Sequence, residues 1–132
     1  MTMQPLEWHT EYCTGIKEID LQHHYFLELI NRLGIELDLS IDKLHQRSLL
    51  DELCKYAAFH FVSEENLMHK LNYPGLDDHR ELHQKLISEL AARCVRDSPG
   101  DLVRFLVSWF IHHTVEEDRH IGDYARMAAV KL

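Results

Sequence analysis

YAAFHFVSEENLMHKLNYPGLDDHRELHQK, running from Tyr56 to Lys85, decides how this chain folds. It holds His60 and Glu64 four residues apart, then a Tyr73-Pro74-Gly75 break, then His79 and His83 four residues apart. On an α-helix, residues four apart lie on one face, one above the other. Two helices joined by that break would therefore aim three imidazoles and a carboxylate at one point. Neutral imidazole with carboxylate is a ligand set for Zn, Fe, Cu or Mn rather than for Ca or Mg.

The composition bounds the rest. A chain of 132 residues is long enough for one domain with a proper core. With 45% hydrophobic and 27% charged residues it reads as globular rather than disordered. Only 5 glycines and 3 prolines, and no strand-like alternation, favour long helices. A formal net charge of -8 without a Lys/Arg cluster argues against nucleic acid or an anionic membrane as partner. The longest strongly apolar run, Phe105 to Ile111, is too short to span a bilayer. The first residues, MTMQPLEWHTEY, have neither the basic flank nor the apolar core of a signal peptide. The three cysteines, Cys13, Cys54 and Cys94, form no CxxC and read as reduced packing groups of a cytoplasmic protein. Histidine is the unusual residue: 11 is several times what packing needs.

The expected architecture is all-α, an antiparallel up-down-up-down four-helix bundle with an N-terminal arm, in a single domain over 1–132. Residues 1–17 form the arm, with Pro5 and Gly15 and the apolar Leu6, Trp8, Tyr12 and Ile16 available to pack. Helices are expected at about 18–39, 41–71, 78–96 and 99–121, with a break and a short C-terminal helix after Gly122. The inward stripe of the first helix is His23, Phe26, Leu27, Ile30, Leu33 and Leu37. Ser40 or Asp42 can cap the second, whose stripe is Leu49, Leu53, Tyr56, Ala57, His60, Glu64, Leu67 and Leu71, ahead of the Tyr73-Pro74-Gly75 stop. Asp78 with Glu81 reads as a capping box for the third, with His79, His83, Leu86, Leu90 and Cys94 facing in. Ser98-Pro99-Gly100-Asp101 is a strong start for the fourth, which carries Leu102, Phe105, Leu106, Trp109, Phe110 and His113. Short loops make sequence neighbours antiparallel, which brings all these polar residues toward one end of the bundle.

A lone histidine on an apolar stripe is most often a hydrogen-bonded core residue. Five of them and a glutamate on four stripes at one level are different, because burying them unpaired would cost several kcal/mol. Metal coordination satisfies them together. The acid on the fourth helix is less determined. In HHTVEED, Glu117 lies roughly 40° from His113 in a regular helix and Asp118 roughly 140° away. Periodicity favours Glu117, and only a local π-bulge or overwinding of the helix would turn Asp118 inward. His9, His45, His69 and His120 read as solvent-facing, and His24 and His112 as rotated off the face. Trp109 reads as core or as the wall of a ligand pocket.

Four segments, DLQHHYF from Asp20, HFVSE from His60, HRELH from His79 and WFIHHTVEED from Trp109, resemble the hemerythrin pattern, in particular the single-domain bacterial hemerythrins. The Tyr73-Pro74-Gly75 turn and the Trp8 arm resemble that group too, so the likeness covers nearly the whole chain. It implies a non-haem site of two Fe ions. One would be held by His79, His83 and His113, the other by His23 and His60, with Glu64, Asp118 and an oxo or hydroxo group as bridges. The family's interval of five between histidine and acid favours Asp118 over Glu117. The implied function is reversible O2 binding at the open position of the two-histidine iron, for transport, storage or sensing, rather than enzymatic turnover. A partner protein would be needed if the role is sensing. The alternatives are an oxygen-, iron- or NO-responsive signalling module and, further off, a carboxylate-rich di-iron oxidase or peroxidase. Of the Glu-x-x-His spacing expected in that last class, only Glu117 to His120 is present. Seven ligands are too many for a mononuclear, four-coordinate Zn site.

Overall fold

In a computed structural model, which describes residues 6–130, the chain is an antiparallel four-helix bundle. A short 3-10 turn at Thr10–Tyr12 precedes helices α1 (Lys17–Leu39), α2 (Lys43–Lys70), α3 (Leu76–Arg96) and α4 (Pro99–His112). A π-helical segment, His113–Glu117, joins α4 to α5 (Asp118–Val130), and the three together make the fourth rod. The rods close a ring in which α1 packs on α2 and α4, and α3 packs on α2 and α4. Among the described residues, no helix is long and apolar enough to cross a membrane.

Local chemistry sets most boundaries. Asp42, rather than Ser40, caps α2: its carboxylate accepts from the backbone N–H groups of Leu44 and His45. The Ser98 hydroxyl accepts from Asp101 N–H at the start of α4, as its sequence suggests. The stop after α2 comes earlier than the expected turn. Asn72 takes the left-handed conformation (φ 55°), and Tyr73 N–H donates to Met68 C=O at 2.9 Å, the Schellman closure of a helix end. The capping box at Asp78 is not formed. Helix α3 begins at Leu76 behind Gly75, and Asp77 and Asp78 instead lie in its first turn, where they favour the helix dipole.

The expected break at Gly122 is also corrected. Helix α5 runs straight through it, and the irregularity of the fourth rod lies upstream, in the π segment. Gly122 is required by the arm: a Cβ there would lie 1.8 Å from the carbonyl oxygen of Thr14. The arm is held in several places. Thr14 N–H, Thr14 hydroxyl and Gly15 N–H all donate to the Asp20 carboxylate. Arg126 donates to Thr14 C=O. Leu6 pairs its backbone with the Asn31 amide, and Trp8 stacks on His24 at 3.9 Å. Pro5, also placed in the arm, lies outside the described residues.

The inward stripes of the helices make the core, with Phe26, Leu33, Leu53, Leu106 and Phe110 almost fully buried. A smaller apolar cluster of Ile19, Met68 and Ile121 lies apart from it. Between Ile19 and Phe26 on α1, Phe61 and Met68 on α2, and Phe110 and Ile121 on the last rod, the buried positions are polar. The bundle thus encloses a polar layer between two apolar ones.

Candidate metal centre

Seven side chains meet in that layer: His23, His60, Glu64, His79, His83, His113 and Asp118, each buried to 4% exposure or less. All seven are residues the sequence points to. Of the two acids at the end of the π segment, Asp118 is fully buried within the cluster and Glu117 only partly buried. The five-residue π segment winds with less rotation per residue than a regular helix, so a residue five positions after His113 returns to its face, against simple periodicity.

The seven divide into two groups that share their carboxylates. Glu64 Oε1 lies 2.8 Å from Nε2 of His79, 3.3 Å from that of His83 and 3.7 Å from that of His113. Its Oε2 lies 3.2 Å from Nε2 of His60 and 3.6 Å from that of His23. Asp118 repeats the pattern. Its Oδ1 is 2.8 Å from His113 and 3.1 Å from His79, and its Oδ2 is 2.9 Å from His23. Each carboxylate therefore gives one oxygen to a three-imidazole group and the other to a two-imidazole group.

Of these contacts only that between Glu64 Oε1 and His79 has the geometry of a hydrogen bond. Glu64 Oε2 and both oxygens of Asp118 are buried without a hydrogen-bond partner among the described residues, despite imidazole nitrogens close by. The Nε2 atoms of His23 and His60 approach to 3.1 Å, and those of His83 and His113 to 3.3 Å. Two imidazole nitrogens face each other at that range only with a proton or a cation between them. Neighbouring ligands of an octahedral ion with bonds of about 2.1 Å would be about 3.0 Å apart. The donor atoms of Glu64, His79, His83 and His113, and those of His23, His60, Glu64 and Asp118, are each close enough to share one ion. Nitrogen and carboxylate donors in this ratio suit a first-row transition metal. The residues fit a pair of metal ions.

The electrostatics agree. Burial opposes ionisation of Glu64, but the imidazoles of His113, His23, His60 and His79 more than reverse it and hold the carboxyl well below its usual range. Asp118 is lowered likewise, against burial and the Glu64 charge, by His113 and His23. Burial pulls the histidines down, yet the two carboxylates push His23 and His113 up to about 9 and His79 to about 10. For His60 burial wins and the ring is lowered. Two buried anions thus draw positive charge to themselves, as protons or as metal.

Three supporting residues escaped the sequence reading. Gln22 Oε1 lies 2.7 Å from Nδ1 of His60, and Glu65 Oε2 lies 3.0 Å from Nδ1 of His83. With Nδ1–H donating to these oxygens, the Nε2 lone pair faces the site. Ser63 holds Gln22 in turn, its hydroxyl accepting from the Gln22 amide. Each contact crosses from one helix to another, so no spacing along the chain announces it. Phe61 stacks on His83 at 4.0 Å and Trp109 on His113 at 4.4 Å, which makes Trp109 a wall of the site. The other six histidines, His9, His24, His45, His69, His112 and His120, are all exposed.

A closed helical bundle around a buried histidine–carboxylate cluster with two metal-sized halves defines a class of metal-binding protein. The model of the hemerythrin HHE cation binding domain matches residues 14–125, and the chain belongs to the hemerythrin family. A bacteriohemerythrin of Pseudomonas aeruginosa is 31% identical over 137 aligned positions, covering 98% of this chain and 88% of its own length. A hemerythrin-like protein of Naegleria gruberi is 29% identical over 115 residues, 86% of this chain and 88% of its own. Among solved structures, wild-type hemerythrin superposes with a TM-score of 0.80 at 26% identity, over 89% of this chain and 95% of the other.

Proposed function

We propose that this chain binds O2 reversibly at a pair of iron ions, one held by His79, His83 and His113 and the other by His23 and His60, with Glu64 and Asp118 shared between them. The observation that carries this reading is the division of each carboxylate, one oxygen to each imidazole group. Three imidazoles and two carboxylate oxygens on one side, against two imidazoles and two oxygens on the other, leave the second ion one ligand short. That place is where a small ligand would bind. Iron held by these residues would supply reversible redox chemistry toward O2.

The chain's own residues do the remaining work. Gln22 and Glu65 orient the His60 and His83 rings and fix which nitrogen carries the proton. Phe26 and Phe110 close the two-histidine side, edge-on to His60 and His23 respectively, and both are 1% exposed. Ile121 and Met68, fully buried, cover the other direction along the bundle. An apolar enclosure keeps water out, which slows loss of a reduced oxygen species and favours release of O2 over oxidation.

The test is a visible absorption spectrum of iron-loaded protein that is reduced without air, exposed to O2 and then purged. A charge-transfer band that rises with O2 and fades on purging is the expected result. Direct conversion of the reduced protein to a stable oxidised form, with no reversible band, would overturn oxygen carriage and favour an oxidase or a sensor.

A further inference from the structure

Cys54 on α2 and Cys94 on α3 are 40 residues apart in sequence, yet their sulfurs lie 3.8 Å from each other. Both are free thiols, and both are half-buried. They sit side by side in the wall of a cleft of about 620 Å³ that Lys43, Arg47, Leu50, Asp51 and Val95 also line. A small oxidant can reach them there without unfolding the bundle. A disulfide needs the sulfurs at about 2.05 Å, an approach of roughly 1.8 Å that side-chain rotation can share between the two residues.

We propose that Cys54 and Cys94 form a reversible disulfide when the protein meets hydrogen peroxide, locking α2 to α3. In the first step the thiolate of one cysteine attacks a peroxide oxygen: an S–O bond forms, the O–O bond breaks, and the departing hydroxide takes the proton that the thiol gave up and leaves as water. In the second, the sulfur of the other cysteine attacks that of the sulfenic acid: the S–S bond forms, the S–O bond breaks, and the hydroxyl leaves as water with the second thiol's proton. Two thiols and one peroxide thus give one disulfide and two waters, and a dithiol reverses the product. Both sulfurs line the same cleft, so either can be the one oxidised first.

The lock would matter for the metal centre. The loop it closes, from 54 to 94, contains His60, Glu64, His79 and His83, four of the seven clustered side chains. A cross-link there holds α2 and α3 together even when other parts of the bundle loosen. The proposal stands on the sulfur geometry and the cleft and does not depend on which metal the cluster holds.

The experiment uses the full chain, both as purified and after chelation. Each sample is reduced, treated with a small excess of hydrogen peroxide or with diamide, quenched, and alkylated with N-ethylmaleimide for mass spectrometry. The reduced, denatured chain takes up three labels, one per cysteine. The oxidised chain is expected to take up one, at Cys13, and to yield a cross-linked peptide joining Cys54 to Cys94. It should melt several degrees higher than the reduced chain, a shift that dithiothreitol reverses and that Cys54→Ser or Cys94→Ser abolishes. Continued labelling of both thiols, dimers through Cys13 as the sole product, or cross-linking confined to metal-loaded protein treated with peroxide would each overturn it.

Discussion

Oδ1 of Asp118 lies 2.8 Å from Nε2 of His113, five residues earlier, because the backbone between them is wound as a π-helix. The extra residue per turn rotates the acid onto the face that already carries His113. It leaves Glu117 partly exposed, at the edge of the layer. This local winding completes the shared carboxylate pair, and the cluster depends on it.

The two acids should therefore behave differently. If the cluster holds two iron ions as proposed, Asp118→Ala is expected to lower that to at most one per chain, because the two-histidine half loses its second carboxylate. Glu117→Gln is expected to leave the stoichiometry unchanged. Metal analysis of both variants checks this, and loss of metal in Glu117→Gln alone would reverse the assignment.

Loading the site should release protons, and affinity should rise with pH. In the metal-free chain His23 and His113 are raised to about 9 and His79 to about 10, so all three are protonated at neutral pH. A metal must displace those protons. The same shifts act on stability. Groups raised above an ordinary value near 6.5 stabilise the metal-free fold fully below that pH and lose the effect as pH climbs through 9 to 10. Calorimetric titration in two buffers of different ionisation enthalpy measures the release. Urea midpoints of chelated protein between pH 6 and 10 should fall as pH rises.

Gly122→Ala tests the seat of the arm. The added methyl would collide with the Thr14 carbonyl, a backbone atom that cannot swing aside, so α5 or the arm must move. A loss of roughly 1–3 kcal/mol is expected, as for other overpacked sites. Chemical denaturation reads it, and a neutral result would mean that the arm is loosely held.

Gln22→Leu and Glu65→Gln should each weaken metal binding by roughly 10- to 100-fold, the usual effect of losing a partner behind a ligating histidine. The first acts through His60 and the second through His83. Competition with a chromophoric chelator separates the two. Gln22→Leu is expected to loosen the two-histidine half, and Glu65→Gln the three-histidine half.

Much of this was legible in the chain because helix periodicity is a property of the backbone. A spacing of four places His60 with Glu64, and His79 with His83, on single faces whatever surrounds them. The same periodicity sets the apolar stripes that bury Phe26, Leu33, Leu53 and Leu106. The Ser98 and Asp42 caps are local as well, each reaching a backbone N–H within three residues. Where two local signals competed, the weaker reading failed: Gly122 reads as a helix break but serves a contact with Thr14, over a hundred residues away.

The sequence by itself determined four helical stripes and the residues that face inward on them, because that depends on geometry within one helix. Tertiary structure decided what lies between helices. It turned Asp118, which the family's interval favours and periodicity does not, inward through the π segment, set Gln22 behind His60 and Glu65 behind His83, and brought Cys54 to Cys94. Those distances depend on how four rods pack at a common level, and packing is a property of the whole fold rather than of any one segment.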